Sequence, residues 1–196
     1  MTILEATNRA LLLLGVAPIA TIGDQTQAAR TTNRQFEPTR RSVLSEYPWA
    51  FAIRVQALST TSISNNPPWR FRAPRPGNAL AVWEVKNRRN RSVQFLVENN
   101  SIFTHISDPM VEFSVDIPFQ SWDDSTKEAF CHRLAADCAV TLTGSEQIAQ
   151  AMLQKYIMFG TLARRNARNE RDVDVKQSGT YISVRGAGVL ASGKIL

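Results

Sequence analysis

The chain has 196 residues, 43% of them hydrophobic, which is enough to bury one sizeable core and too apolar for a disordered chain. Its net charge of +6 favours contact with nucleic acid or another polyanion, a statement about association rather than fold. Two cysteines and two histidines are too few for a disulfide-stapled scaffold and leave little material for metal or Cys-His chemistry.

Thr2 and Glu5 have capping-box spacing, and Ile3, Ala6, Ala10, Leu13 and Leu14 recur at helical intervals until Gly15, which predicts a first helix. "RALLLLGVAPIA" is too short and too polar at its flanks to span a bilayer, and no basic leader precedes it, so a cytosol-like compartment and no membrane partner are expected. After the loop "VAPIATIGDQ", Asp24 is placed to cap a long second helix with an inward stripe of Ala29, Thr32, Phe36, Val43 and Tyr47. Pro38 lies within it and should kink it or divide it in two.

From "YPWAFAIRVQAL" the pattern alternates, with Phe51, Ile53 and Val55 on one side of a strand. A proline-rich loop, "SNNPPWRFRAPRPGN", leads to strand-like pieces at "LAVWEV", "VQFLV", "SIFTHI" and "VEFSVDI", the middle two joined by an "ENN" turn. Helical spacing resumes after "WDD", where Asp124 or Ser125 can cap a third helix whose stripe is Cys131, Ala135, Cys138 and Leu142, ending at Gly144. Thr143 and Glu146 again have capping-box spacing, and Ile148, Met152, Tyr156, Phe159, Ala163 and Ala167 mark a fourth helix of about 25 residues, roughly 37 Å long. The two cysteines sit two turns apart on the third helix, about 10 Å along its axis, and are expected to be reduced core residues.

This order predicts an α+β protein: a four-helix bundle (1–49 and 119–173) with an antiparallel β insertion (50–118) between helices two and three, and an extended C-terminal arm (174–196). The arm can reach about 75 Å when extended, and its glycines alternate with apolar residues in a way that suits ordering on a partner.

Sites for chemistry are scarce. His105 lies in a strand pattern, and His132 follows Cys131 on a helix, where adjacent side chains diverge by about 100° and cannot easily share a metal. "GVLASGK" has the glycine and lysine spacing of a phosphate loop, but Ile195 stands where that loop needs Ser or Thr. Asp123, Asp124 and Glu128 are the densest acids and admit a hydrolase reading, although acids in a first helical turn are explained by the helix dipole. No catalytic residue, cofactor or metal is expected.

Charge is segregated along the β region. Arg54, Arg70, Arg72, Arg75, Lys86, Arg88, Arg89 and Arg91 precede Glu98, Asp108, Glu112, Asp116, Asp123 and Asp124. A nucleic-acid backbone at the basic edge, or the acidic edge of a neighbouring copy, would each explain the division. A second cluster, Arg164, Arg165, Arg168 and Arg171, suits the C-terminus of the last helix and is diluted by acids.

The packing and turn signals resemble those of bacteriophage head-to-tail adaptors, the tail tubular protein A family of short-tailed phages. The resemblance rests on Leu14-Gly15 closing a short first helix, Pro18-Ile19 in the next loop, Phe36-Glu37-Pro38 in a long second helix, Pro48-Trp49 and Phe51 leading into a strand, and the Leu142-Thr143-Gly144 break between the closing helices. It covers about residues 4 to 172 and implies a non-enzymatic virion protein, made in the host cytoplasm and located at the head-tail junction. It further implies a ring of twelve copies beneath the portal protein, joined to the tail nozzle protein and surrounding the channel through which genomic DNA passes without sequence-specific contact during ejection. On this resemblance the arm binds the portal through Tyr181, Ile182, Val184, Val189, Leu190, Ile195 and Leu196. The rival expectation is a DNA-binding protein that uses the basic edge of the β insertion.

Overall fold

The computed structural model describes residues 1–64 and 68–176, with side chains described as far as position 169. Two helices, α1 (Ile3–Leu13) and α2 (Gln27–Glu46), come first, then seven strands: β1 (Ile53–Ala57), β2 (Thr61–Ser62), β3 (Phe71–Pro74), β4 (Ala79–Lys86), β5 (Phe95–Glu98), β6 (Ser101–Thr104) and β7 (Met110–Val115). A short 3-10 turn, Phe119–Ser121, leads to α3 (Asp124–Thr143) and α4 (Glu146–Lys176).

Local chemistry sets the helix ends. The Thr2 hydroxyl accepts from the Glu5 amide at 3.2 Å and the Glu5 carboxylate accepts from the Thr2 amide at 2.8 Å, which is the expected capping box. Thr26, not Asp24, caps α2; Asp24 instead accepts from the amides of Ala20 and Thr21 and closes its own loop. Asp123 caps α3 in place of Asp124 or Ser125, taking the Thr126 amide at 2.7 Å. The Ser145 hydroxyl accepts from the Ile148 amide at the start of α4, so the capping oxygen comes from Ser145 rather than Thr143. Gly15 and Gly144 both stand at φ +69°, the left-handed turn that stops α1 and α3. Helix α2 runs unbroken through the exposed Pro38, so it is one helix rather than two pieces.

The strands form two antiparallel sheets, ordered β1-β7-β4 and β2-β3-β6-β5. Strand β7 is central in the first sheet and almost wholly buried. Its Val111, Phe113 and Val115 meet Val85 of β4 and Ala73 and Ile102 of the second sheet in a small core shared by both sheets. Asn99 and Asn100, at positive φ, make the expected β5-β6 turn. Strand β3 arises within the stretch read as a proline-rich loop and β2 just before it, and β1 is largely solvent-facing, with Val55 54% exposed.

The helices do not form the four-helix bundle with a β insertion between helices two and three that the amphipathic stripes suggest. A bundle helix buries one stripe, whereas α3 is buried on nearly every side: Thr126, Ala129, Phe130, Cys131, His132, Leu134, Ala135, Cys138 and Ala139 are all buried. It acts as a hub against which α1, α2 and α4 each pack, while α1 and α2 scarcely meet. The strands are not appended to one end of the helices, because Phe51, Leu80 and Ile117 pack into the helical core. Arg40 of α2 also donates to the Ile117 carbonyl at 2.6 Å and pairs with Asp116 at 2.6 Å. Alanines and cysteines along α3 allow close approach from several directions, and this makes the central position possible.

The join between helices and sheet is aromatic. Phe119 and Phe130 each contact Phe36 and Trp122 and one another, and Phe51 stacks on Trp122, all at centroid distances of 5.0–5.8 Å. Phe130→Ala should therefore cost about 3–5 kcal/mol in urea unfolding; a loss below about 1 kcal/mol would show that this cluster does not hold the layers together.

Candidate functional site

Antiparallel pairing joins part of the basic segment to the acidic one. Strand β4 runs beside β7, so Lys86 lies 3.0 Å from Glu84 and 3.1 Å from the buried Glu112. Arg88 meets Asp108 at 2.9 Å across the neighbouring loops. Burial works against the Lys86 charge, but the hydrogen bonds it donates to Glu84 and Glu112 outweigh it and raise its pKa. Arg40 is similar: burial opposes its charge, and Asp116 and Glu37 more than compensate. Of the basic residues in this region only Lys86 and Arg88 pair with carboxylates, and Arg54, Arg70, Arg72, Arg75, Arg89 and Arg91 have no carboxylate partner among the described residues.

The acids at the start of α3 have structural partners. Asp123 is the cap, Asp124 lies 3.4 Å from Lys127, and Glu128 accepts from Arg9 at 2.9 Å. Cys131 and Cys138 are free and buried, and burial pushes both thiols up to about 12, which keeps them protonated and unreactive near neutrality. His105 stacks on Trp69. His132 is buried between α3 and α4 with its ring 4.6 Å from that of Phe159, and neither ring nitrogen has a hydrogen-bond partner. Among the described residues no group of His, Cys, Asp and Glu is arranged to hold a metal ion. No helix among them is long and apolar enough to cross a membrane.

What the molecule does present is the outer side of α4. Met152, Tyr156, Ala163 and Ala167 face inward, but Leu153, Ile157, Met158 and Leu162 are 40%, 58%, 56% and 52% exposed. Met158 and Leu162 project from the side opposite the buried stripe, and Leu153 and Ile157 border it. From 147 to 163 the only charged residue is Lys155, so water meets a charge-poor helix side on which these four exposed apolar residues are interspersed with the exposed Gln147, Gln150, Gln154 and Thr161. The sequence signal for this was present in "KYIMFGTLA", where apolar residues outnumber the positions one inward stripe requires.

Polar contacts hold α4 in place. Glu46 at the end of α2 accepts from the Tyr156 hydroxyl and lies 3.6 Å from Arg133 and 3.7 Å from Arg164. The two guanidinium groups cover the rings of Tyr156 and Tyr47 at 5.5 and 5.7 Å. Burial, and then the bond to Glu46, pushes the Tyr156 hydroxyl upward, so it stays a donor at any ordinary pH. The outer face of α4 is therefore fixed relative to α2 and α3. The expected portal-binding residues Tyr181, Ile182, Val184, Val189, Leu190, Ile195 and Leu196 lie outside the described residues.

No protein-family model matches the chain, and no curated protein matches it.

His132 makes stability depend on pH. Burial lowers its pKa below 6.5, with Lys155 on α4 and Arg9 on α1 acting in the same direction and Glu128 on α3 opposing. The unfolded chain then takes up its proton first as pH falls, so stability declines from about pH 6.5 downward and levels off below the folded pKa. Urea unfolding between pH 7.5 and 5 should show this decline, and His132→Leu should flatten it; equal slopes in both proteins would contradict the assignment.

Proposed function

We propose that the protein is a structural virion component, a bacteriophage head-to-tail adaptor that assembles as a ring between portal protein and tail nozzle protein around the DNA channel. The observation that carries this reading is the charge-poor outer face of a rigidly held α4, where Leu153, Ile157, Met158 and Leu162 stand exposed among uncharged polar residues, which suits coverage by another subunit. Each leucine, isoleucine or methionine fully withdrawn from water contributes about 1.5–3 kcal/mol, so four half-exposed side chains per copy give a ring contact useful driving force. The Leu14-Gly15, Pro18-Ile19, Phe36-Glu37-Pro38 and Leu142-Thr143-Gly144 signals supply the likeness to the adaptor family. The acids that would serve a hydrolase are engaged in capping and ion pairs, which favours a non-enzymatic role. In this reading the helical layer packs side by side around the ring, the sheets point toward the tail, genomic DNA passes through without specific contacts, and the residues after α4 attach to the portal.

Purified protein mixed with its portal should give a ring complex by negative-stain imaging, and a monomer that ignores portal under every assembly condition would overturn the proposal. Ile157→Glu combined with Met158→Glu should abolish the ring while shifting stability by no more than about 0.5 kcal/mol per site, as expected of exposed positions. Deleting 177–196 should leave the melting transition in place and abolish portal attachment; unchanged attachment would remove the C-terminal segment from the interface.

A further inference from the structure

The arginine-rich turn "KNRRNRS" is a built feature. The Asn87 side-chain oxygen accepts from the amides of Arg89 and Arg91 at 2.9 and 3.0 Å, its own amide donates to the Arg91 carbonyl at 2.9 Å, and Asn90 takes a positive φ of 57°. The backbone carrying Arg89 and Arg91 is thus pre-organised. With Arg88 paired to Asp108, Arg89 and Arg91 are the uncompensated cations of the turn.

Two clefts flank this turn. One, of about 400 Å³, is lined by Asn87, Arg88, Arg89, Ile106, Ser107 and Asp108. The other, of about 500 Å³, lies between Trp69 and the residues leading into β5, with Gln94 and Phe95 on its wall. Trp69 stacks on His105 at 4.8 Å with 28° between the planes, which holds the indole in a fixed orientation at the side of the cleft. His105 directly precedes Ile106 and Ser107 of the first cleft, so the aromatic stack and the cationic cleft adjoin. Arg70, exposed and without an ion pair among the described residues, follows Trp69 in the chain.

An aromatic wall, an exposed amide and nearby arginines without acids to neutralise them are the groups that a nucleotide requires. The indole offers a π-face to a base, Gln94 offers a donor and an acceptor to its edge, and guanidinium groups match phosphate in a fork. A duplex hides its base faces in the stack, whereas a single strand can place one base in the cleft. We infer that the clefts beside Trp69 and the 87–91 turn form a binding site for single-stranded nucleic acid, with a base against Trp69 and the backbone phosphates on Arg89 and Arg91. This site lies on the sheet region and does not depend on the adaptor reading, since a protein could form the ring with or without it.

The test is titration of the full chain with a fluorescein-labelled fifteen-residue oligothymidylate at several salt concentrations, following anisotropy and tryptophan emission. Trp49 and Trp122 are 1% and 3% exposed, so emission quenching reports chiefly on Trp69 and the half-buried Trp83. The expected result is salt-dependent binding with quenching. Trp69→Leu should weaken it about 5- to 100-fold and remove most of the quenching, and Trp69→Phe should restore much of the affinity. Arg89→Ala with Arg91→Ala should reduce the slope of log affinity against log salt by about 1.4. An unchanged affinity in Trp69→Leu whose circular dichroism matches the parent, or tighter binding of a duplex of equal length, would overturn the site. Inorganic polyphosphate that competes fully at equal phosphate concentration would likewise overturn it, by showing that charge alone is read.

Discussion

The structure depends on a chain of aromatic rings that fastens the helical core to the segments entering and leaving the sheets, whose own core meets it at Ile117. Tyr47 contacts Trp49, Trp49 stacks on Phe51, Phe51 on Trp122, and Trp122 meets Phe119 and Phe130, which in turn hold Phe36 of α2. Trp49 is pinned by its indole N–H, which donates to the Val43 carbonyl at 2.8 Å. These rings lie at the exit from α2 and the approach to α3, so the chain leaves the helical layer and returns to it through one apolar seam. Because α3 sits behind that seam with nearly all its circumference buried, a disturbance there reaches α1, α2 and α4 together.

The same arrangement decides which surfaces remain for partners. Ion pairing across β4 and β7, and from α2 to Asp116, engages Lys86, Glu112 and Asp116 and leaves most arginines of the β region without a carboxylate among the described residues. Glu46, Arg133, Tyr156 and Arg164 fix α4 against α2 and α3 without covering its far side. An apolar helix face remains at one place and an arginine-bearing turn at another. The first suits contact between subunits, the second contact with a polyanion, and they occupy different elements, so the two proposed contacts are separable by mutation.

Much of the local structure was legible in the sequence, because it is written in short-range signals. The Thr2-Glu5 capping box, the glycines that stop α1 and α3, the Asn99-Asn100 turn and the inward stripe of α4 all involve residues within a few positions of one another. Caps were harder where several oxygens compete: Asp24 lies near the start of α2, yet its carboxylate is taken by Thr21 and Ala20, which leaves the cap to Thr26. Strands β2 and β3 were hidden because β2 has only two residues, prolines surround β3, and the pairing of β3 with β6 is long-range. The arrangement of the helices was not legible, since a stripe states which face is buried and not what buries it. Leu11 illustrates this: it is fully buried, but with Ile19 and Ala29 in a small core beside the main one. The outer face of α4 was overlooked because one inward stripe already accounted for the helix.

The central claim is that a second subunit covers the outer face of α4, and a thiol placed at the middle of that face tests it most directly. In a Met158→Cys protein the added thiol is exposed, while Cys131 and Cys138 are buried with thiols pushed up to about 12 and should not compete for reagent. The rate of modification by a maleimide, measured for the isolated chain and again after incubation with portal, is predicted to be fast in the first case and at least tenfold slower in the second. A rate that stays unchanged while imaging shows assembled rings would contradict the account.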